Sequence, residues 1–218
     1  VLRITVLISG NGSNLQALID ARDNGRFPVE IVHVISNRPT AAGLDRAARA
    51  GIPTTILDHT RFSERSEFDQ SLAALISVHA PDLVVLAGFM RILGPELLKD
   101  CRCPIINLHP SLLPRHRGTD TCRRAIEAGD SEHGSSMHFV TPELDGGPVI
   151  SQVRVPVKAG DDAHRLMARL APREHELVVA TLELFCAGRV KCVDGAVIVD
   201  GQQLVNPLLL NDHGTFTR

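Results

Sequence analysis

The chain has 218 residues, 44% of them apolar and 22% charged, proportions that support a buried core and exclude compositional disorder. At this length a single α/β domain over residues 1–218 is expected. A formal net charge of -2 argues against a nucleic-acid or anionic-membrane partner, and seven Phe without Trp or Tyr leave little for a single-strand stacking platform.

In chain order, Leu2 to Ile8 is apolar and β-branched, as expected of a strand buried on both faces of a parallel sheet. Behind Ser9-Gly10, Leu15, Leu18 and Ile19 recur at helical spacing up to a stop at Asn24-Gly25. The strand-helix unit repeats as Ile31 to Ser36 with Ala41 to Ala50, then as Thr54 to Leu57 with a helix carrying Phe68, Leu72, Leu75, Ile76 and His79. Leu83 to Ala87 and Ile105 to Leu108 add two short strands. This alternation predicts an open, mainly parallel twisted sheet with helices on both faces, a Rossmann-like α/β fold. Ligands in such sheets bind beyond the carboxyl ends of the strands.

From His109 to Thr121, two prolines, Gly118 and three basic residues without periodicity read as a loop without core contacts, suited to a lid. A short helix to Gly129, a strand from Ser135 to Val140, a turn at Asp145-Gly146-Gly147-Pro148 and a strand from Val149 to Val157 follow. Asp161 to Gly188 reads as a long helix kinked or broken at Pro172, because an internal proline removes a helix hydrogen bond. Val190 to Val205 alternates around Asp200-Gly201 as a terminal hairpin would.

The five cysteines are odd in number, scattered and without a CxxC pair, so reduced thiols and no metal site are expected. No apolar run is long enough to span a bilayer, and no signal cleavage pattern follows VLRITVLISG; a cytoplasmic location is expected.

Three places carry chemistry. Ser9-Gly10-Asn11-Gly12-Ser13-Asn14 joins the first strand to the first helix, where helix N–H groups and close backbone approach suit one phosphate. It lacks the third glycine of a dinucleotide loop and the lysine of a P-loop, and a plain helix cap explains it equally well. Asn107 and His109 share one side of a strand end, about 7 Å apart by strand rise, and can aim two donors at a developing oxyanion. Asp145, in a glycine-rich turn, can orient His109 or relay a proton; as Asp-Gly it can also simply form the turn.

The stretches ISGNGSNLQALID, VVLAGFMRIL, NLHPSLLPRHRG and HFVTPELDGGPVI, in this order and spacing, closely resemble the phosphoribosylglycinamide formyltransferases, folate-dependent transformylases of purine synthesis. The resemblance covers nearly the whole chain. It implies that Asn107, His109 and Asp145 are catalytic, supported by His138, and that Gly12, Ser13 and Asn14 hold the substrate phosphate. It implies that Glu174 meets the ribose, and that Met90, Arg91, Ile92, Leu93, Val140, Thr141 and Leu144 form the folate cleft, with Arg65 near the glutamate tail. A phosphate and nucleotide half of about 1–109 and a folate and catalytic half of about 85–188 follow. In this chain Asp120 and Cys122 stand where many relatives carry two histidines, so a carboxylate near Asp145 is expected to repel it. Pro172 is likewise unexpected beside Glu174.

The implied reaction is attack by the amine of glycinamide ribonucleotide on the formyl carbon of 10-formyltetrahydrofolate, with no metal and no covalent adduct. Two alternatives share the cofactor, a formyltetrahydrofolate hydrolase and a methionyl-tRNA formyltransferase; a further domain would be expected of either. A non-catalytic nucleotide-binding module is the third, against which intact Asn107, His109 and Asp145 speak. No residue pattern fixes the oligomeric state, and a homodimer is compatible with it.

Overall fold

Strand β1 (Leu2–Ile8) is buried at every position from Ile4 onward, without alternation. The cause is its place in the computed structural model, which describes residues 1–217: β1 is flanked by two parallel strands, β2 (Val29–Ser36) and β4 (Leu83–Leu86). β3 (Thr54–Ile56) continues beside β2, also parallel. These strands belong to the first of two compact units, Val1–Ile106, and run in the order β4-β1-β2-β3. Crossovers between parallel strands need intervening helices, here α1 (Ser13–Asp23), α2 (Gly43–Arg49) and α3 (Arg65–His79). A six-residue helix, α4 (Pro95–Asp100), opens with proline at its first turn; it is too short for its periodicity to stand out in sequence.

β5 (Ile105–His109) begins in the first unit, and its last three residues open the second. There β6 (Glu132–Phe139) and β7 (Val149–Pro156) pair antiparallel, with a register irregularity between Met137 and His138. β11 (Leu208–Leu210) adds to β7 in parallel, and β12 (Phe216–Thr217) closes antiparallel on β11. Strands that are mainly parallel, interleaved with helices, bear out the expected α/β class. Among the described residues no helix is long and apolar enough to cross a membrane.

Two expectations are corrected, and the tail adds a strand to a third. Helix α6 (Ala163–Cys186) runs through Pro172 without a break. Pro172 and Ala168, four residues earlier, are both exposed, so water can satisfy the carbonyl that loses its partner. Meanwhile Leu166, Leu170, Leu177 and Val178 hold the opposite face in the core. The tail holds the expected hairpin around Asp200-Gly201, β9 (Ala196–Val199) with β10 (Gln202–Gln203), and β8 (Val190–Val193) adds a third antiparallel strand through a turn at Asp194-Gly195. The loop between β5 and α5 (Thr121–Glu127) has core contacts after all, with Ser111 fully buried and Leu113 5% exposed.

Candidate active site

Strand alternation puts Asn107 and His109 on one side of β5, and each meets a partner from farther along the second unit. The Asn107 side-chain nitrogen lies 3.1 Å from Nε2 of His138, and Nδ1 of His138 lies 2.9 Å from the Phe139 carbonyl. A carbonyl only accepts, so Nδ1 carries the His138 proton and Nε2 accepts from Asn107. The ring is therefore neutral, in keeping with burial, which lowers its pKa. This arrangement fixes which end of the Asn107 amide is nitrogen and leaves its second N–H for a ligand. His138 follows the ladder irregularity in β6, a feature that re-aims a side chain.

His109 is 6% exposed. Its Nε2–H donates to the His116 carbonyl at 3.1 Å, and its Nδ1 stands 3.5 Å from Oδ2 of Asp145. In the cationic ring both nitrogens carry hydrogen, one for the carbonyl and one for the carboxylate. To serve a substrate oxygen the ring must release one of these partners. Asp145 adopts a left-handed backbone, φ 47, and its Oδ2 accepts the Gly118 N–H at 2.8 Å. Its Oδ1 lies 3.8 Å from His138 Nε2, beyond hydrogen-bond reach, which leaves acceptor capacity on that oxygen. Gly147 two residues on admits no side chain, because a Cβ there would strike the Phe139 carbonyl.

The loop that supplies the His116 carbonyl is tied down by residues that motif reading missed. Asp130 binds Arg115 through one carboxylate oxygen and His116 Nε2, at 2.7 Å, through the other. The His116 contact, first among the causes, holds the Asp130 carboxyl below the ordinary range. Ser136 Oγ donates to the Ser111 carbonyl at 2.7 Å and accepts the Leu113 N–H at 3.1 Å, while Gln152 donates to the Leu113 carbonyl at 3.0 Å. Only Gly129-Asp130, at the stop of the short helix, hinted at a turn, and nothing in sequence linked it to His109.

In the first unit, Gly12 is the residue before α1 and has φ 72. A Cβ on it would come within 2.6 Å of Gly43 Cα, so only glycine fits on both counts. The Ser13, Asn14 and Leu15 amides open α1 and have no intrahelical partners by helix geometry. Arg46, unnoticed in sequence, clasps this loop by donating to the Asn11 carbonyl at 2.8 Å and to the Asn11 side chain at 3.1 Å. Ser9 Oγ donates to Asn37 Oδ1 and accepts the Met90 N–H at 2.8 Å. The segment after β4 is further fixed by Arg65, which donates to the Ile92 carbonyl at 2.7 Å, and by Asp69, which accepts the Gly94 N–H at 3.0 Å. Met90 and Ile92 are 61% and 50% exposed, whereas Leu93 is in the core. In the second unit Leu144 is 45% exposed, and Val140 and Thr141 are half-buried.

Residues 2–182 match the formyl transferase family. The chain belongs to that family. It is 48% identical to a phosphoribosylglycinamide formyltransferase of Escherichia coli over 93% of this chain and 96% of that one. Its identity to the enzyme of the same name from Haemophilus influenzae is 42%, over 93% and 95% of the two chains. A solved phosphoribosylglycinamide formyltransferase of Coxiella burnetii, in complex with CHES, superposes with TM-score 0.89 at 45% identity, covering 94% of this chain and 96% of that one.

In this formyltransferase Asp120, expected to repel Asp145, has a side chain that is 62% exposed and pairs with Arg123 at 3.0 Å. Cys122 is buried, and its thiol is pushed up to about 11 by burial and then by the Glu174 charge. Glu174 is 8% exposed, and its Oε1 accepts from Ser135 Oγ at 2.6 Å. Among the described residues no group of three or more His, Cys, Asp or Glu is arranged to hold a metal.

Proposed function

We propose that this formyltransferase moves a formyl group from 10-formyltetrahydrofolate to the amine of glycinamide ribonucleotide, without a metal, in purine biosynthesis. The observation that carries the mechanism is the set of orienting bonds around Asn107, His109 and Asp145. Attack of the amine on the formyl carbon makes a tetrahedral oxyanion. The remaining N–H of Asn107 and an N–H of cationic His109 stabilise it, being held in place before the charge develops. Asp145, through its less engaged Oδ1, accepts the amine proton directly or through one water and returns a proton to the leaving nitrogen. In the liganded state His109 exchanges its bond to the His116 carbonyl for one to substrate.

The remaining roles follow the family resemblance. Gly12, Ser13 and Asn14 take the phosphate, with Arg46 holding their loop, and Glu174 takes the ribose hydroxyls. For the pterin, the first unit offers the exposed Met90 and Ile92 with main chain of Arg91 and Leu93, and the second unit offers the exposed Leu144 with the half-buried Val140 and Thr141. Arg65 sits near the glutamate tail. The nucleotide half is 1–109 and the folate and catalytic half is 85–188, in one working domain. The partners are these small molecules and not nucleic acid or membrane; the enzyme acts in the cytoplasm, and a homodimer is compatible with this scheme. Asp145→Asn tests the proton role: turnover should fall by about 10²-fold or more, with little change in folate binding. Near-normal turnover in that variant would remove Asp145 from the mechanism.

A further inference from the structure

Two thiols lie side by side on the connection between α4 and β5. Sγ of Cys101 is 3.6 Å from Sγ of Cys103, close enough for one S–H to donate to the other sulfur. The Cys103 backbone N–H also bonds the Cys101 sulfur, so two donors from one residue converge on it. Both thiols are partly exposed, and neither residue has a part in formyl transfer as derived above.

The asymmetry assigns their roles. The Cys103 S–H, with its N–H adding to the effect, holds the Cys101 thiol down at about 7 against the opposing effect of burial. The same bond pushes Cys103 up, helped by burial, by the Cys101 charge and by Asp82. The other cysteines lack this environment: burial raises Cys122 and Cys186 to about 11 and raises Cys192 as well. The thiolate is the reactive form of cysteine, so Cys101 is set apart by its charge state while staying partly exposed.

We propose that Cys101 and Cys103 form a modification site, a dithiol that hydrogen peroxide converts to an intramolecular disulfide. The Cys101 thiolate attacks one peroxide oxygen, the O–O bond breaks, and hydroxide leaves and is protonated by solvent. Cys101 sulfur gives up two electrons and becomes a sulfenic acid, while the peroxide is reduced by those two. Cys103 sulfur then attacks Cys101 sulfur; the S–S bond forms, the S–O bond breaks, and the oxygen leaves as water with the Cys103 proton. A dithiol reductant reverses the change.

The test uses the reduced full chain, treated with hydrogen peroxide, alkylated and mapped by mass spectrometry. Expected is a Cys101–Cys103 link that removes the mass of two hydrogens and is undone by dithiothreitol. In Cys103→Ser, dimedone should trap a sulfenic acid on Cys101; in Cys101→Ser, Cys103 should stay unlabelled under the same exposure. At neutral pH a thiol near 7 is about half ionised against about 3% for an ordinary one, and its lower nucleophilicity offsets part of that. Iodoacetamide should therefore modify Cys101 at least about threefold faster than Cys192. First oxidation at Cys192, a disulfide between two chains, or equal dimedone labelling of the two single variants would overturn the proposal.

Discussion

His138 offers a graded perturbation, because its two ring nitrogens do different work. Nε2 accepts from Asn107, and Nδ1–H donates to the Phe139 carbonyl. In His138→Gln the amide oxygen reaches about where Nε2 stood, so Asn107 keeps an acceptor. In His138→Asn the shorter side chain can replace the donor to Phe139 but not that acceptor. Leaving a buried polar group unsatisfied costs about 1–3 kcal/mol. If that cost appears as loss of the oriented Asn107 donor in the transition state, kcat falls by about 5- to 150-fold. The assay is steady-state formyl transfer with both substrates varied, on variants whose circular dichroism matches the parent. Asn should lose kcat within that range with folate KM nearly unchanged, and Gln should keep most of it. Equal kcat in the two variants, or a loss confined to KM, would refute the orienting role.

Asp130→Asn should speed amide exchange over residues 115–118 and lower kcat, since Asp130 anchors the segment whose carbonyl holds His109; Asp130→Glu should recover part of both. Unchanged exchange would mean the loop is held by its other bonds. Acid stability should reflect His33 and His133, each lowered to about 4 chiefly by burial, and His138, lowered for the same reason. Their folded pKa values lie below the unfolded value near 6.5, so the unfolded chain binds the extra protons. The stabilisation from His33 and His133 is complete above that pH and is lost as pH falls toward 4, each adding up to about 1.4 kcal/mol per pH unit to the slope, and His138 acts in the same direction. Chemical denaturation at several pH values checks this, and His133→Phe should shallow the slope; no change in slope would exclude His133 as a contributor.

Much of this protein was legible because β1, β2 and β4 are largely buried on both faces, which produces runs dominated by apolar residues, broken in β2 only by Glu30, His33 and Ser36. Asn107 and His109 were legible as a pair because strand period is local, whereas Asp130 and Arg46 act through contacts distant in sequence, which no spacing rule reaches. Pro172 misled because the cost of proline depends on whether the orphaned carbonyl faces water, a property of the packed helix. The β5–α5 loop misled in a similar way: its prolines and basic residues mask Ser111 and Leu113, which face a polar floor of Ser136 and Gln152. The Cys101–Cys103 contact left only a C-x-C spacing, short of any metal signature.

The most direct measurement offers purified protein 10-formyltetrahydrofolate and, in separate reactions, glycinamide ribonucleotide, its dephosphorylated riboside, methionyl-tRNA and water alone, following release of the unformylated folate. Expected is rapid transfer to the ribonucleotide, a specificity constant for the riboside lower by several kcal/mol as charge-assisted phosphate bonds are lost, slow hydrolysis and no measurable reaction with the tRNA. Hydrolysis as fast as transfer at saturating ribonucleotide, or a riboside that reacts equally well, would contradict the claim that a held phosphate aims the amine at the formyl carbon.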